Sequence, residues 1–89
     1  MTITRQVVVS NAAGMHARPC HAVVSTAQGF KSTLKLRARG REVDGKSILH
    51  LMTLEASVDT EVELVADGED ADALLDKVAL LFESGFGED

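Results

Sequence analysis

The chain has 89 residues, of which 45% are hydrophobic and 26% are charged, and its formal net charge is −5 at pH 7. This composition is typical of a folded chain with one modest core, and it argues against a disordered chain. The negative charge argues against a nucleic-acid-binding protein, which usually carries a basic face. The single cysteine excludes an internal disulfide, and no apolar run reaches the roughly 18 residues that a membrane-spanning helix needs. We therefore expect a cytoplasmic protein without membrane insertion and with one domain over residues 1–89.

The N-terminal third predicts a strand followed by a helix. Residues 2–9 are rich in β-branched residues, which is typical of a strand, although consecutive valines leave its buried face open. From residue 17 onward, apolar residues recur at helical spacing. Pro19 is tolerated only in the first turn of a helix, and Gly29 favours a helix end. We therefore expect this helix to begin near residues 16–17.

The rest of the chain predicts three further strands and two helices. Arg39 and Gly40 favour a two-residue hairpin turn between two strands, and Ser47 is a good N-cap for a short helix. The predicted elements are strands over 32–38, 41–43 and 60–66, a short helix over 48–55, and a last helix with apolar residues from 71 to 82 that ends at Gly85. The order β-α-β-β-α-β-α predicts an α+β fold. We expect a two-layer open-faced sandwich, with helices on one face of a four-stranded, mainly antiparallel sheet.

The stretch "GMHARP" at the start of the first helix is a candidate site. A helix N-terminus carries unpaired N–H groups and a partial positive charge, which together favour a bound anion. Arg18 adds a cation whose planar donors suit phosphate oxygens. His16 is therefore a candidate nucleophile for reversible phosphoryl transfer. The alternative is that His16 is only an N-cap or a surface histidine.

Three segments resemble one family. "GMHARP" is similar to the active-centre motif of HPr, the family of histidine-containing phosphocarriers of the phosphoenolpyruvate-dependent phosphotransferase system. "VDGKSILHLMTL", residues 43–54, resembles the second signature of that family, around its regulatory serine. The tail "LFESGFGED" is similar to many C-termini of the family, whose fold has the same order of elements. The resemblance implies a single HPr-like domain over residues 1–89.

The resemblance also implies a covalent carrier rather than a stand-alone enzyme, without a cofactor. Enzyme I would transfer its phosphoryl group to Nδ1 of His16, and phosphorylated His16 would transfer it to enzyme IIA domains. Arg18 would balance the charge during transfer, and the amides of Ala17 and Arg18 would hold the phosphate.

The second motif implies regulation and docking. Ser47 matches the serine that a dedicated kinase phosphorylates in some branches of the family, and the alternative is that Ser47 only caps its helix. Docking residues are expected around the site, as an apolar patch for brief contact with several partners. The candidates are Met15, Cys20, Leu49, His50 and Met52. Ile48 and Leu51 are instead expected in the core.

Other hypotheses stay open at this point. A regulatory relative would dock to kinases or transcription regulators, in nitrogen or carbon signalling, without moving sugar. A metal site would need His16, Cys20 and His50 together, but the chain lacks zinc-finger spacing, and we expect no metal. Cys20 is expected to be a small apolar residue, with redox sensitivity as the alternative. We expect a monomer.

Overall fold

The computed structural model describes residues 1–88 and has the predicted order of elements. The strands are β1 (Thr2–Val8), β2 (Thr33–Ala38), β3 (Arg41–Asp44) and β4 (Glu61–Asp67), and the helices are α1 (Ala17–Ala27), α2 (Ile48–Met52) and α3 (Ala71–Glu83). A short 3-10 turn, Gly85–Gly87, follows α3. The short helix ends at Met52 rather than at residue 55, because the hydroxyl and amide of Thr53 both donate to the carbonyl of His50 and close the last turn.

The four strands form one sheet in the order β1-β4-β2-β3, and every neighbouring pair is antiparallel. The α+β open-faced sandwich expected from the sequence is therefore confirmed. Arg39 and Gly40 both have positive φ angles, of 54° and 80°. Such a pair of left-handed residues is what a two-residue hairpin of type I′ requires between β2 and β3.

The core lies between the sheet and the helices. Alternate residues of β2 and β4 are buried, as period-2 strands with one covered face require. The structure also shows which of the consecutive valines face the core. Val7 is buried, Val8 is 47% exposed, and Val9, just after the end of β1, is buried. The largest fully buried side chains come from both layers: Leu34, Leu36, Leu51, Leu54, Leu64, Leu74, Leu75 and Phe82. The inner face of α1 joins the same core through Cys20, Val23, Val24 and Ala27.

Within residues 1–88, the helices are too short and too polar for any of them to cross a lipid bilayer.

Candidate functional site

A tightly packed turn leads the chain into α1. Gly14 has a φ of +72°, and a Cβ at this position would lie 2.6 Å from the carbonyl oxygen of Ala56. The next amide, that of Met15, donates to the same carbonyl at 2.8 Å. The buried side chain of Asn11 donates through Nδ2 to the carbonyl of Gly14 at 2.8 Å. Only glycine fits this left-handed, close approach, and the turn fixes the direction in which α1 begins.

His16 occupies the N-cap of α1, as the sequence predicts. Its backbone is extended, with φ −98° and ψ −164°, and its side chain makes no capping hydrogen bond. The imidazole is 44% exposed. The amides that follow, those of Ala17 and Arg18, belong to the first turn of the helix and have no intrahelical acceptor. Pro19 lies in the same turn, where its missing N–H removes no helical hydrogen bond.

The side chain of Glu88 contacts His16 from the C-terminal tail. Nε2 of His16 lies 3.1 Å from one carboxylate oxygen of Glu88 and 3.2 Å from the other. Asn11 donates through Nδ2 to the same carboxylate at 3.0 Å. The hydrogen bond from His16 is the main cause that lowers the pKa of Glu88, and the Asn11 hydrogen bond and the positive charge of Arg18 act in the same direction. Glu88 is thus an ionised partner of the imidazole.

A sharp bend carries Glu88 to this position. Three consecutive residues, Gly85, Phe86 and Gly87, have positive φ angles of 65°, 58° and 74°. The ring of Phe86 packs edge-on against Phe82, with centroids 4.9 Å apart, which anchors the bend to the core. Sequence reasoning did not identify Glu88, because 72 positions separate it from His16. The "GFG" run before the acidic end is the signal that could have indicated a return of the tail.

Arg18 is exposed in the first turn of α1, two residues after His16. Its positive charge contributes to the lowered pKa of Glu88. The start of α1 therefore brings together an exposed imidazole, a guanidinium and the amides of a helix N-terminus. This set of groups suits an oxyanion.

Two of the expected docking residues are not on the surface, and that expectation is wrong. Met15 is 5% exposed, because its amide pairs with Ala56 and its side chain joins the core. Cys20 is fully buried on the inner face of α1. Burial raises the pKa of the Cys20 thiol to about 11, which disfavours the reactive thiolate. Cys20 is a small core residue, as the sequence favoured over a redox role.

The other expected docking residues lie on the exposed side of α2. Leu49 is 80% exposed, Met52 is 41% exposed, and His50 is exposed between them. Leu51 is buried and Ile48 packs partly against the core, as expected. We call the three exposed side chains, Leu49, His50 and Met52, the α2 patch. Because α2 packs against α1, the α2 patch lies on the helical side of the sheet together with His16.

Ser47 is the N-cap of α2, as predicted. Its Oγ accepts a hydrogen bond from the amide of His50 at 3.2 Å. Nδ1 of His50 in turn accepts from the amide of Asp44 at 2.9 Å, which ties the helix to the end of β3. The hydroxyl that would receive a phosphate therefore has a structural role already.

The residues of the alternative metal site, His16, Cys20 and His50, do not form a cluster. Among residues 1–88, the structure brings no three histidine, cysteine or acidic side chains close enough to hold a metal ion. Cys20 faces the core, whereas His16 and His50 face outward.

A concavity of about 750 Å³ lies elsewhere on the molecule, and His16 does not line it. Its walls are formed by Met1, Ile3 and the start of α3. The exposed His16 imidazole suits docking of macromolecules better than enclosure of a small substrate.

Comparisons with known proteins agree with this geometry. The family described as "PTS HPr component phosphorylation site" matches residues 3–84. A phosphocarrier protein HPr of Xylella fastidiosa is 38% identical over 87 residues, covering 98% of each chain. A phosphocarrier protein NPr of Escherichia coli K12 is 36% identical over 90 residues and the whole of both chains. The crystal structure of an HPr of Thermoanaerobacter tengcongensis superposes with a TM-score of 0.92 at 33% identity, over 98% of each chain. The chain therefore belongs to the HPr family of phosphotransferase-system phosphocarriers.

Proposed function

We propose that Nδ1 of His16 receives a phosphoryl group from enzyme I and passes it to enzyme IIA domains. The observation that carries the proposal is the exposed imidazole at the N-cap of α1, beside Arg18 and the free amides of the first turn. In each transfer, a bond forms between phosphorus and the attacking ring nitrogen. The bond to the donor nitrogen breaks, and its electron pair returns to the donor ring.

The start of α1 stabilises the phosphate during this exchange. The amides of Ala17 and Arg18 donate to phosphoryl oxygens, and the partial charge of about +0.5 at a helix N-terminus favours the dianion. The Arg18 guanidinium adds a full positive charge and a planar pair of donors. Phosphoryl transfer depends mainly on positioning and charge, and these groups supply both.

The α2 patch is the proposed docking surface for enzyme I and enzyme IIA. Leu49 and Met52 offer exposed apolar area, and His50 is the polar group between them. A carrier must dissociate from each partner quickly, which favours a small interface of this kind.

Ser47 is the proposed target of a regulatory serine kinase. A phosphate at a helix N-cap suits the local field, so it would change partner choice without unfolding α2. Further proposals are that the 89 residues form one HPr-like domain, that the protein works in the cytoplasm, and that it is a monomer.

A labelling assay tests the proposal. The protein is incubated with enzyme I and radiolabelled phosphoenolpyruvate, with a known HPr labelled in parallel. We expect an acid-labile, base-stable phosphate that disappears in His16→Ala. His21→Ala is the matched control, because His21 is an exposed histidine on the same helix. This variant should still be labelled at His16. An unlabelled wild-type protein beside a labelled reference rejects the proposal.

A regulatory relative is the second candidate function. The observation that favours it is the full-length similarity to a protein named NPr as well as to proteins named HPr. Transfer from phosphorylated His16 to a sugar-specific enzyme IIA supports the transport role. Binding to a kinase or a transcription regulator, with no transfer to any sugar-specific enzyme IIA, supports the regulatory role.

A further inference from the structure

The α2 patch contains an oxidisable sulfur. We propose that Met52 is a site of reversible oxidation: hydrogen peroxide converts its thioether to the sulfoxide, and the oxidised patch docks more weakly. The inference rests on the proposed docking role of the α2 patch and adds a modification site to it.

Two other sulfur atoms of the chain are shielded from an oxidant. Cys20 is fully buried on the inner face of α1, and burial raises the pKa of its thiol to about 11. Little of the reactive thiolate is therefore present at neutral pH. Met15 is 5% exposed and packs in the core. The thiol, at which the sequence leaves a redox role open, is thus protected by the fold.

Met52, by contrast, is 41% exposed. It is the last residue of α2, because the amide and the hydroxyl of Thr53 both donate to the carbonyl of His50 and end the helix there. On either side of it, Leu51 and Leu54 are buried and hold the segment to the core. The chain therefore fixes the backbone around Met52 but leaves its side chain partly in solvent. A thioether reacts without ionising, so no proton has to leave before peroxide attacks this sulfur.

Oxidation changes the chemistry of the patch rather than the fold. Leu49, three residues before Met52, is 80% exposed, so the two side chains share one face of α2. The sulfoxide places a polar acceptor on this apolar face. In the free protein the acceptor is hydrated, and the fold tolerates it. In a docked complex the acceptor loses its water, which should weaken binding about 10-fold where the partner offers no donor.

The step is a two-electron oxidation with peroxide as the oxidant. A lone pair of Sδ of Met52 forms the S–O bond as the O–O bond of peroxide breaks. The leaving hydroxide takes the proton of the transferred oxygen and departs as water. A thiol-dependent sulfoxide reductase reverses the step: two thiols supply two electrons and two protons and become a disulfide, and the oxygen leaves as water. The modification is therefore reversible.

The methionines of the chain provide the controls, because their exposure differs. Met1 is 88% exposed but lies outside the α2 patch, beside the concavity at the start of α3, and Met15 is buried. The folded protein is treated with hydrogen peroxide, and mass spectrometry of its peptides gives the oxidation rate of each methionine. Met1 and Met52 should oxidise much faster than Met15, since susceptibility follows exposure.

The affinity for enzyme I is then measured by calorimetry without phosphoenolpyruvate, so that docking is observed apart from phosphoryl transfer. Oxidised wild type should bind about 10-fold more weakly than untreated protein, and the reductase should restore the affinity. Met52→Leu keeps the apolar volume without the sulfur and should bind equally well before and after treatment. Met1→Leu is the matched control and should lose affinity on oxidation as wild type does. Met52→Gln should bind weakly without any treatment.

Unchanged affinity of the oxidised wild type overturns the role of Met52, as does an equal loss in oxidised Met52→Leu. Oxidation of Met52 as slow as that of Met15 overturns the site itself. Untreated protein that binds enzyme I but is never labelled overturns the proposed phosphoryl transfer instead, and the effect of Met52 on docking then still stands. Untreated protein that does not bind enzyme I overturns both.

Discussion

The turn at Gly14 gives the sharpest test of how the site is built, through the variant Gly14→Ala. An alanine here must adopt a φ of +72° and places its Cβ 2.6 Å from the carbonyl oxygen of Ala56 and 3.0 Å from Cα of Ser57. Both are backbone atoms, so no side chain can rotate away. The left-handed conformation costs an L-residue about 1–2 kcal/mol. The forced contact adds about 1–3 kcal/mol, the range for overpacked sites.

Gly40→Ala is the matched control for this variant. Gly40 has a similar φ of +80°, but a Cβ there meets nothing within 4 Å. The control therefore carries the conformational strain alone, about 1–2 kcal/mol. For a domain of this size each kcal/mol shifts Tm by about 4–8 °C. Gly14→Ala should consequently lower Tm by about 8–40 °C, and Gly40→Ala by about 4–16 °C.

The assay is urea unfolding and thermal melting of both variants beside wild type, followed by the labelling rate of the folded protein. Gly14→Ala should also slow labelling, because the turn that it distorts sets the direction of His16. Gly40→Ala should be labelled at the wild-type rate. Equal destabilisation by the two alanines would refute the close approach between Gly14 and Ala56. A Gly14→Ala protein labelled at the wild-type rate would refute the link between the turn and the site.

Three further predictions concern stability and reactivity. Ser47→Ala should lower the free energy of unfolding by about 1 kcal/mol in urea titrations, because α2 loses its N-cap acceptor, and no loss would contradict the capping role. Cys20 should react with iodoacetamide far more slowly in the folded protein than in urea, since it is buried and its pKa is raised; equally fast alkylation would contradict the burial. Hydrogen bonds from Ser32 and Lys31 lower the pKa of Asp70 from 3.8 to about 2, so its contribution to stability is present above pH 4 and is lost as the pH falls toward 2. Asp70→Asn should remove that part of the pH dependence of unfolding, and an unchanged profile would contradict the assignment.

The parts of the fold that local chemistry determines could be predicted from the sequence. Pro19 fixes the start of α1, because proline fits only in the first turn of a helix. Arg39 and Gly40 fix the hairpin, because left-handed pairs favour two-residue turns. The buried face of β1 was not predictable, since three consecutive valines satisfy either face and the pairing with β4 decides which is buried.

In the candidate site too, some residues can be predicted from a local motif, whereas others depend on the assembled fold. His16 and Arg18 follow from a local motif at the start of a helix. Met15 is held by the hydrogen bond of its amide to Ala56, a partner 41 positions away, and its side chain is buried. The expectation that Met15 is exposed, which followed from its position next to His16 in the sequence, was therefore wrong. Glu88 reaches the ring only because the tail bends back at Gly85–Gly87. Contacts of this kind require the assembled fold.

The central claim is that phosphate is carried on Nδ1 of His16. The most direct measurement is NMR of the ¹⁵N-labelled protein after phosphorylation by enzyme I and phosphoenolpyruvate, which reports phosphorus–nitrogen coupling in a single histidine ring. The account predicts coupling to Nδ1 of His16, with a proton retained on Nε2. A phosphate found on His21, on His50 or on Nε2 of His16 would contradict it.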